Sequence, residues 1–127
     1  MNKLLVFTII GLFFSISFVS AMEVRFYYSE SCPYCKHFYP FVMEKVNQYP
    51  TYIFGIYETS NQDNYNSYKE YGFDGVPAFV INTDDGREIK FVGADKQKLH
   101  CELQEMTTKD CPTYSVNNYI GGSWFKI

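Results

Sequence analysis

The chain lacks any concentration of positive charge. Its 127 residues include 11 Lys and Arg against 14 Asp and Glu, for a formal net charge of −3, and no basic run or stripe occurs. Proteins that bind nucleic acid need such a patch to neutralise phosphates, so the sequence argues against a nucleic-acid partner. The chain also lacks internal repeats, low-complexity tracts and any change of composition that would mark a second folded domain.

Long apolar runs are absent from the chain except at its start. Lys3 is followed by sixteen apolar-rich residues from Leu4 to Val19 and then by small residues up to Ala21. This pattern is typical of a secretory signal peptide and predicts cleavage after Ala21. An uncleaved anchor is the alternative, although a membrane-spanning helix needs roughly 20 apolar residues. We therefore expect an extracytoplasmic protein, in a periplasm, a secretory lumen or the medium, with no stable membrane span after cleavage.

The mature chain is long enough for one small domain. Removing 21 of 127 residues leaves 106, and the loss of Lys3 changes the net charge to −4, from 10 basic and 14 acidic residues. We expect a signal peptide at 1–21, a folded domain at 22–111 and an aromatic tail at 112–127. The tail contains Trp124 and Phe125, which either pack on the domain or present an aromatic surface to a partner.

Hydrophobic periodicity predicts the element order β-α-β-α-β-β-α. The predicted strands are 23–28, 52–57, 78–81 and 88–92, and the predicted helices are 33–48, 62–71 and the segment that follows Asp95. Helices between the first three strands and a hairpin at the end are typical of an α/β fold. We expect a four-stranded mixed sheet flanked by helices on both faces.

The segment Cys32-Pro33-Tyr34-Cys35 carries the most specific chemistry. It lies between a predicted strand and a predicted helix, so the first sulfur is expected at a helix N-terminus, where free N–H groups and the helix dipole favour a thiolate. Pro33 suits the first helical turn, which needs no N–H. We expect Cys32 to be the exposed, attacking cysteine and Cys35 to resolve the mixed disulfide. A permanent structural disulfide between the two is the alternative.

The other two cysteines predict a second, structural pair. An exported chain with an even number of cysteines favours intramolecular disulfides. Helical phase places Cys101 opposite the predicted apolar stripe of the last helix, away from the core, where it can reach Cys111 and pin the tail. A redox relay between the two pairs is an alternative. A zinc site of all four cysteines is another, although zinc ligands usually come in closely spaced pairs. No metal and no cofactor is expected.

Several motifs in order resemble the thioredoxin superfamily, over the stretch from about Glu23 to Met106. They include Lys36 and Pro40 after the cysteine pair, the Gly-Val-Pro segment that ends at Pro77, and the Asp-Gly hairpin at 85–86. The resemblance implies a thioredoxin-like fold. It also implies a cis peptide bond between Val76 and Pro77, with the backbone of Val76 turned toward Cys32 and able to pair with an extended substrate.

Two positions depart from thioredoxins. The dipeptide Pro33-Tyr34 is that of glutaredoxins, and it is a main determinant of redox potential in these proteins. Phe26 stands where thioredoxins usually bury an acid that takes part in proton transfer. The sequence therefore combines a thioredoxin-like body with a glutaredoxin-type active site.

The resemblance implies an exported thiol–disulfide oxidoreductase that acts on protein or small-molecule disulfides and exchanges electrons with an upstream redox partner. Substrates would contact Pro33, Tyr34, Val76 and Pro77. The alternative is a thioredoxin-fold binding module with a structural disulfide and little redox turnover. Glu30 and His37 beside the pair are expected to be exposed polar residues. His100 on the last helix is expected to face solvent, and the sequence identifies no partner for it.

Overall fold

The computed structural model describes residues 21–105, 111 and 124–126. The predicted signal peptide, apart from Ala21, and most of the predicted tail lie outside these residues. The element order is the predicted one, and the elements are β1 (Glu23–Tyr28), α1 (Pro33–Gln48), β2 (Ile53–Glu58), α2 (Gln62–Glu70), β3 (Ala78–Asn82), β4 (Glu88–Val92) and α3 (Lys96–Leu103). Strand β2 lies one residue later than predicted, β3 extends one residue further, and α2 ends one residue earlier.

The four strands form one mixed sheet in the order β2-β1-β3-β4. Strand β1 pairs in parallel with β2 and antiparallel with β3, and β3 pairs antiparallel with β4. Val24, for example, lies between Phe54 on one side and Ile81 on the other. The predicted four-stranded mixed α/β sheet is confirmed.

Alternation along the strands produces two cores, one on each face of the sheet. On the first face, Val24 and Phe26 of β1 pack in a cluster with residues of α1 and α3. On the second face, Tyr27 packs in a cluster with Tyr68 of α2. This second cluster also contains Cys32, Cys35 and Val76, so the predicted active site is part of a hydrophobic core.

Each helix begins at a capping residue that the sequence supplies. Asn61 accepts hydrogen bonds from the backbone N–H groups of Asp63 and Asn64, and Asp95 accepts one from Lys98 at 2.9 Å. Gly72 follows α2 with a φ of +79°, the left-handed conformation that commonly ends a helix. Helix α1 continues through Pro40 to Gln48.

His100 is half-buried, so the prediction that it faces solvent is wrong. It also has a charged neighbour that the sequence did not identify. Its Nδ1 lies 3.3 Å from Nζ of Lys45, which is fully buried on α1 and also donates to Gln48 at 2.8 Å. Burial, and then the charge of Lys45, lower the pKa of His100. Helices α1 and α3 therefore meet at a contact that favours neutral His100.

Candidate active site

Cys32 is the N-cap residue of α1. Its backbone is extended, and its Sγ accepts a hydrogen bond of 3.1 Å from the backbone N–H of Cys35. Pro33 occupies the first helical position, where its missing N–H leaves no hydrogen bond unmade. The N–H of Cys32 itself donates to the carbonyl of Ser29 at 3.1 Å, which holds the loop before the helix. The helix start predicted from the sequence thus places an N–H donor on the first sulfur.

Both sulfur-bearing residues are buried, and both are free thiols. The exposed fraction of Cys32 is 0% and that of Cys35 is 1%. The expectation that Cys32 is exposed is therefore wrong for this structure. The physical reason is that Cys32 packs in the second core cluster, against which Phe125 from the C-terminal end of the chain also packs.

The two thiols are not equivalent. Burial, followed by the hydrogen bond with Cys32, raises the pKa of Cys35 well above its usual range. A neutral Cys35 thiol is a poor nucleophile until it loses its proton. Cys32, whose sulfur accepts the N–H of Cys35, is consequently the better attacking group of the two.

Val76 packs in the same core cluster as the cysteine pair, as the resemblance implied, and Pro77 follows it in the chain. The peptide bond between them is cis. The carbonyl oxygen of Val76 is 3.7 Å from Sγ of Cys32, and that of Pro77 accepts the N–H of Gly93 at 2.8 Å. The segment is thereby fixed to the start of the loop after β4.

Tyr68 positions this segment in a way that sequence reasoning missed. Its side chain is fully buried, and its hydroxyl donates to the carbonyl of Gly75 at 3.1 Å. Burial raises the pKa of Tyr68 to about 12, so it remains a donor throughout the physiological range. The only signal for this role was the helical spacing of Tyr65, Tyr68 and Tyr71, which predicts a buried stripe but not the carbonyl that it contacts.

The backbone of Val76 pairs with the C-terminal end of the chain. The N–H of Val76 donates to the carbonyl of Phe125 at 2.8 Å, and the N–H of Phe125 donates to the carbonyl of Val76 at 2.7 Å. The two residues form an isolated antiparallel bridge. Of the two possibilities for the aromatic tail, Phe125 packs on the domain, whereas Trp124 is 47% exposed.

The remaining predicted substrate contacts surround the pair. Pro33 is exposed, and Tyr34 is partly buried and packs against both core clusters. Glu30 and His37 are exposed, as expected. A cavity of about 490 Å³ opens beside Cys35 and is lined by Tyr28, Ser29, Glu30, Cys35, Lys36 and Tyr39.

Phe26 occupies the position where thioredoxins usually bury a carboxylate. Its ring is fully buried and stacks on Phe79 and Tyr28, with centroid distances of 5.1 and 5.5 Å. No acid lies at this position to accept the proton of Cys35.

A disulfide joins Cys101 to Cys111, the pairing expected from the sequence, with a Cα–Cα distance of 5.6 Å. Cys101 belongs to neither core cluster, as helical phase predicts. It is nevertheless fully buried, which phase did not predict, because the bonded Cys111 and the side chain of Gln97 pack on it. This bond leaves two cysteines free, so the four-cysteine zinc site is not formed. The predicted apolar stripe of the last helix consists of Leu99, Leu103 and Met106. The first two are fully buried, and Met106 lies outside the described residues.

Within the described part of the chain, none of the helices is both long enough and apolar enough to cross a membrane.

Comparisons with known proteins agree with this geometry. The family model for thioredoxin matches residues 19–105. Among curated proteins, no match is found.

Among solved structures, thioredoxin f from spinach chloroplast is 27% identical, with a TM-score of 0.59 over 67% of this chain and 75% of that one. Mitochondrial thioredoxin 3 from Saccharomyces cerevisiae is 24% identical, with a TM-score of 0.60 over 68% and 80%. Fasciola hepatica thioredoxin is 22% identical, with a TM-score of 0.60 over 68% and 82%. Since the family match takes in more than half of the sequence and contains both Cys32 and Pro77, the chain belongs to the thioredoxin family.

Proposed function

We propose that the protein is an exported thiol–disulfide oxidoreductase that exchanges disulfides with protein or small-molecule substrates through Cys32 and Cys35. The observation that carries the proposal is the position of the Cys32 sulfur. It accepts the N–H of Cys35 at a helix start and lies 3.7 Å from the Val76 carbonyl, on the backbone that precedes Pro77. Family membership supports this activity at the general level.

The reaction has two displacement steps. In the first, the Cys32 thiolate attacks one sulfur of a substrate disulfide, the substrate S–S bond breaks, and the other sulfur leaves and takes up a proton. In the second, Cys35 loses its proton and attacks the Cys32 sulfur of the mixed disulfide, which releases the substrate's second thiol. Two electrons pass from the dithiol to the substrate, and the Cys32–Cys35 disulfide is then reduced by an upstream thiol partner. With an oxidised enzyme the same steps run in reverse.

The second step depends on removing the proton of Cys35. The raised pKa of Cys35 makes this costly, and Phe26 provides no carboxylate to assist. The cavity beside Cys35, lined by Glu30 and Lys36, supplies access for water instead. We propose that resolution of the mixed disulfide is the slow step, which favours trapping of substrates on Cys32.

The glutaredoxin-type dipeptide Pro33-Tyr34 supports a less reducing site than that of thioredoxin. Glutaredoxin-type pairs have potentials of about −200 to −230 mV, against about −270 mV for thioredoxin. Titration of the reduced protein against glutathione buffers measures this potential. A value below about −300 mV, typical of a structural disulfide, would favour the binding-module alternative.

Export is part of the proposal and rests on the N-terminal sequence. Met22, the residue that would follow the cleavage site, is buried at the start of the domain, and its carbonyl accepts the N–H of Ile53 at 2.9 Å. Cleavage after Ala21 would thus leave the domain intact. N-terminal sequencing of the protein recovered from the host tests this: a chain that begins at Met22 outside the cytoplasm is expected, and a chain that retains Met1 in the cytoplasm contradicts it.

Trapping in the native host is the decisive test of activity. The variant Cys35→Ser should accumulate proteins bound covalently to Cys32, released by reductant, since only the resolving thiol is missing. The variant Cys32→Ser is the matched control and should trap none. Equal trapping by both variants would contradict the assigned roles.

A further inference from the structure

The C-terminal segment, defined as residues 124–126, lies on the backbone edge that the proposed function assigns to substrates. The N–H and the carbonyl of Val76 both bond to Phe125, at 2.8 and 2.7 Å. These two groups are what an extended substrate would use to add a strand at this edge. The structure thus has the edge occupied by the protein's own chain.

Trp124 extends the contact by one residue. Its ring covers Gly75 so closely that a Cβ atom at position 75 would overlap Cε3 of the indole. Gly75 is buried and its backbone is outside the left-handed region, and the three atoms nearest to a Cβ placed there all belong to the Trp124 ring. The absence of a side chain at Gly75 is therefore matched to an aromatic ring on top of it.

The Phe125 side chain packs against the second core cluster, which contains Cys32, Cys35 and Val76. Cys32 is fully buried in that cluster. A buried sulfur cannot meet a substrate disulfide until whatever covers it moves.

We propose that the C-terminal segment is an internal competitor that substrates must displace. The edge at Val76 then selects extended segments with two adjacent aromatic residues, one over Gly75 and one against the core cluster that contains the cysteine pair. The inference rests on the proposed function for the identity of the edge. The segment forms antiparallel backbone pairs and fills two aromatic positions, so a displacing partner is a protein or peptide with the same pattern. A small disulfide, which makes neither contact, reaches Cys32 only when the segment has left.

Two variants disrupt the contact from opposite sides. Phe125→Pro removes the N–H that donates to Val76, and Gly75→Ala places a Cβ atom in the space of the Trp124 ring. Lys126→Ala is the matched control, since Lys126 is exposed in the same segment. Circular dichroism and thermal unfolding establish that each variant is folded.

The first readout is the rate at which iodoacetamide labels Cys32 in the reduced protein at pH 7, followed by peptide mapping. Loss of the backbone hydrogen bond from the N–H of residue 125 to the Val76 carbonyl predicts a rate increase of about tenfold in Phe125→Pro. Gly75→Ala should act in the same direction, and Lys126→Ala should match the parent. The double variant should gain no more than the larger single effect, because both changes remove one contact. Unchanged labelling in both single variants, with folding intact, overturns the inference.

The second readout is turnover, which separates this inference from the proposed function. With a protein disulfide as substrate, Phe125→Pro should lower KM about tenfold and leave kcat unchanged, as expected when a competitor is removed. Faster labelling without turnover in the parent or any variant would uphold the internal competitor and refute the oxidoreductase. Turnover with the same KM and the same labelling rate in all variants would uphold the oxidoreductase and refute the internal competitor.

Discussion

The two cysteine pairs of this protein share burial but differ in what their sulfurs contact. In the first pair Cys32 accepts a backbone N–H at the start of a helix and lies beside the Val76 carbonyl. In the second pair Cys101 and Cys111 are bonded to each other and contact the side-chain amide of Gln97. All four residues are at most 8% exposed, so exposure does not distinguish them.

The comparison shows that two properties decide the role of a cysteine. They are the groups around its sulfur and its distance along the sequence from the other cysteine of the pair. Cys32 and Cys35 lie one helical turn apart, so a bond between them closes a short loop and can open without releasing any distant segment. Cys101 and Cys111 are ten residues apart and bridge α3 to the chain that follows it. The first pair is arranged for exchange with an outside sulfur, and the second restrains the chain.

The largest effect is expected from the first pair. Cys32→Ser should reduce insulin-type disulfide reductase activity to the uncatalysed level, because the serine hydroxyl cannot form the mixed disulfide. The rate at which the reduced insulin chains precipitate measures this activity. Substantial activity in Cys32→Ser would break the distinction between the two pairs.

Within the first pair, the two thiols should react at different rates. The raised pKa of Cys35 keeps it protonated at pH 6 to 7, so alkylation of the reduced protein should label Cys32 at least about tenfold faster. Mass spectrometry after timed quenching measures the ratio. Phe125→Pro, which should uncover Cys32, is expected to widen the ratio, and equal labelling of both thiols would contradict the assignment.

Removal of the second pair should change stability and leave turnover as it is. Cys101→Ala/Cys111→Ala should lower the free energy of unfolding by about 2–3 kcal/mol, since the bond closes a loop of ten residues in the unfolded chain. Alanine is preferred to serine because both positions are buried. Urea unfolding measures the stability. A loss of turnover at unchanged folding would instead support a redox relay between the pairs.

The smallest expected effect concerns pH and the helix that carries Cys101. The lowered pKa of His100 means that the unfolded chain binds the proton more tightly than the folded one. The stability contributed by neutral His100 is thus fully present above about pH 6.5 and is lost as the pH falls through the lowered pKa of the folded state. His100→Gln should flatten this part of the pH profile, measured by thermal unfolding. An unchanged profile would contradict the lowered pKa of His100, which is caused by its burial and then by the charge of Lys45.

Sequence reasoning succeeded where the signal is local. The helix start at Pro33 and the element order follow from residue type and spacing over a few positions. The Val76–Pro77 contact with Cys32 came from the resemblance, whose motifs keep their order along the chain. These features depend on neighbours in the sequence or on a shared fold.

Sequence reasoning failed where two segments that are distant in the chain meet. Cys32 was expected to be exposed because nothing near it in the sequence covers it, and Phe125 lies 93 positions further along the chain. His100 was given no partner because Lys45 is 55 residues away on another helix. Tyr68 gave a helical stripe but no indication of the Gly75 carbonyl. In each case the missing information was a tertiary contact, which hydrophobic periodicity does not predict.

Trp124 has a consequence for how the molecule can be observed. It is the one tryptophan in the sequence, and it rests on Gly75 at the edge of the active site. Its fluorescence therefore arises from a single position, with no background from another indole. Departure of the ring into water would shift its emission to longer wavelength. The emission wavelength of Trp124 therefore reports whether the C-terminal segment occupies the edge at Val76. It can be measured in unmodified protein and on the timescale of stopped flow.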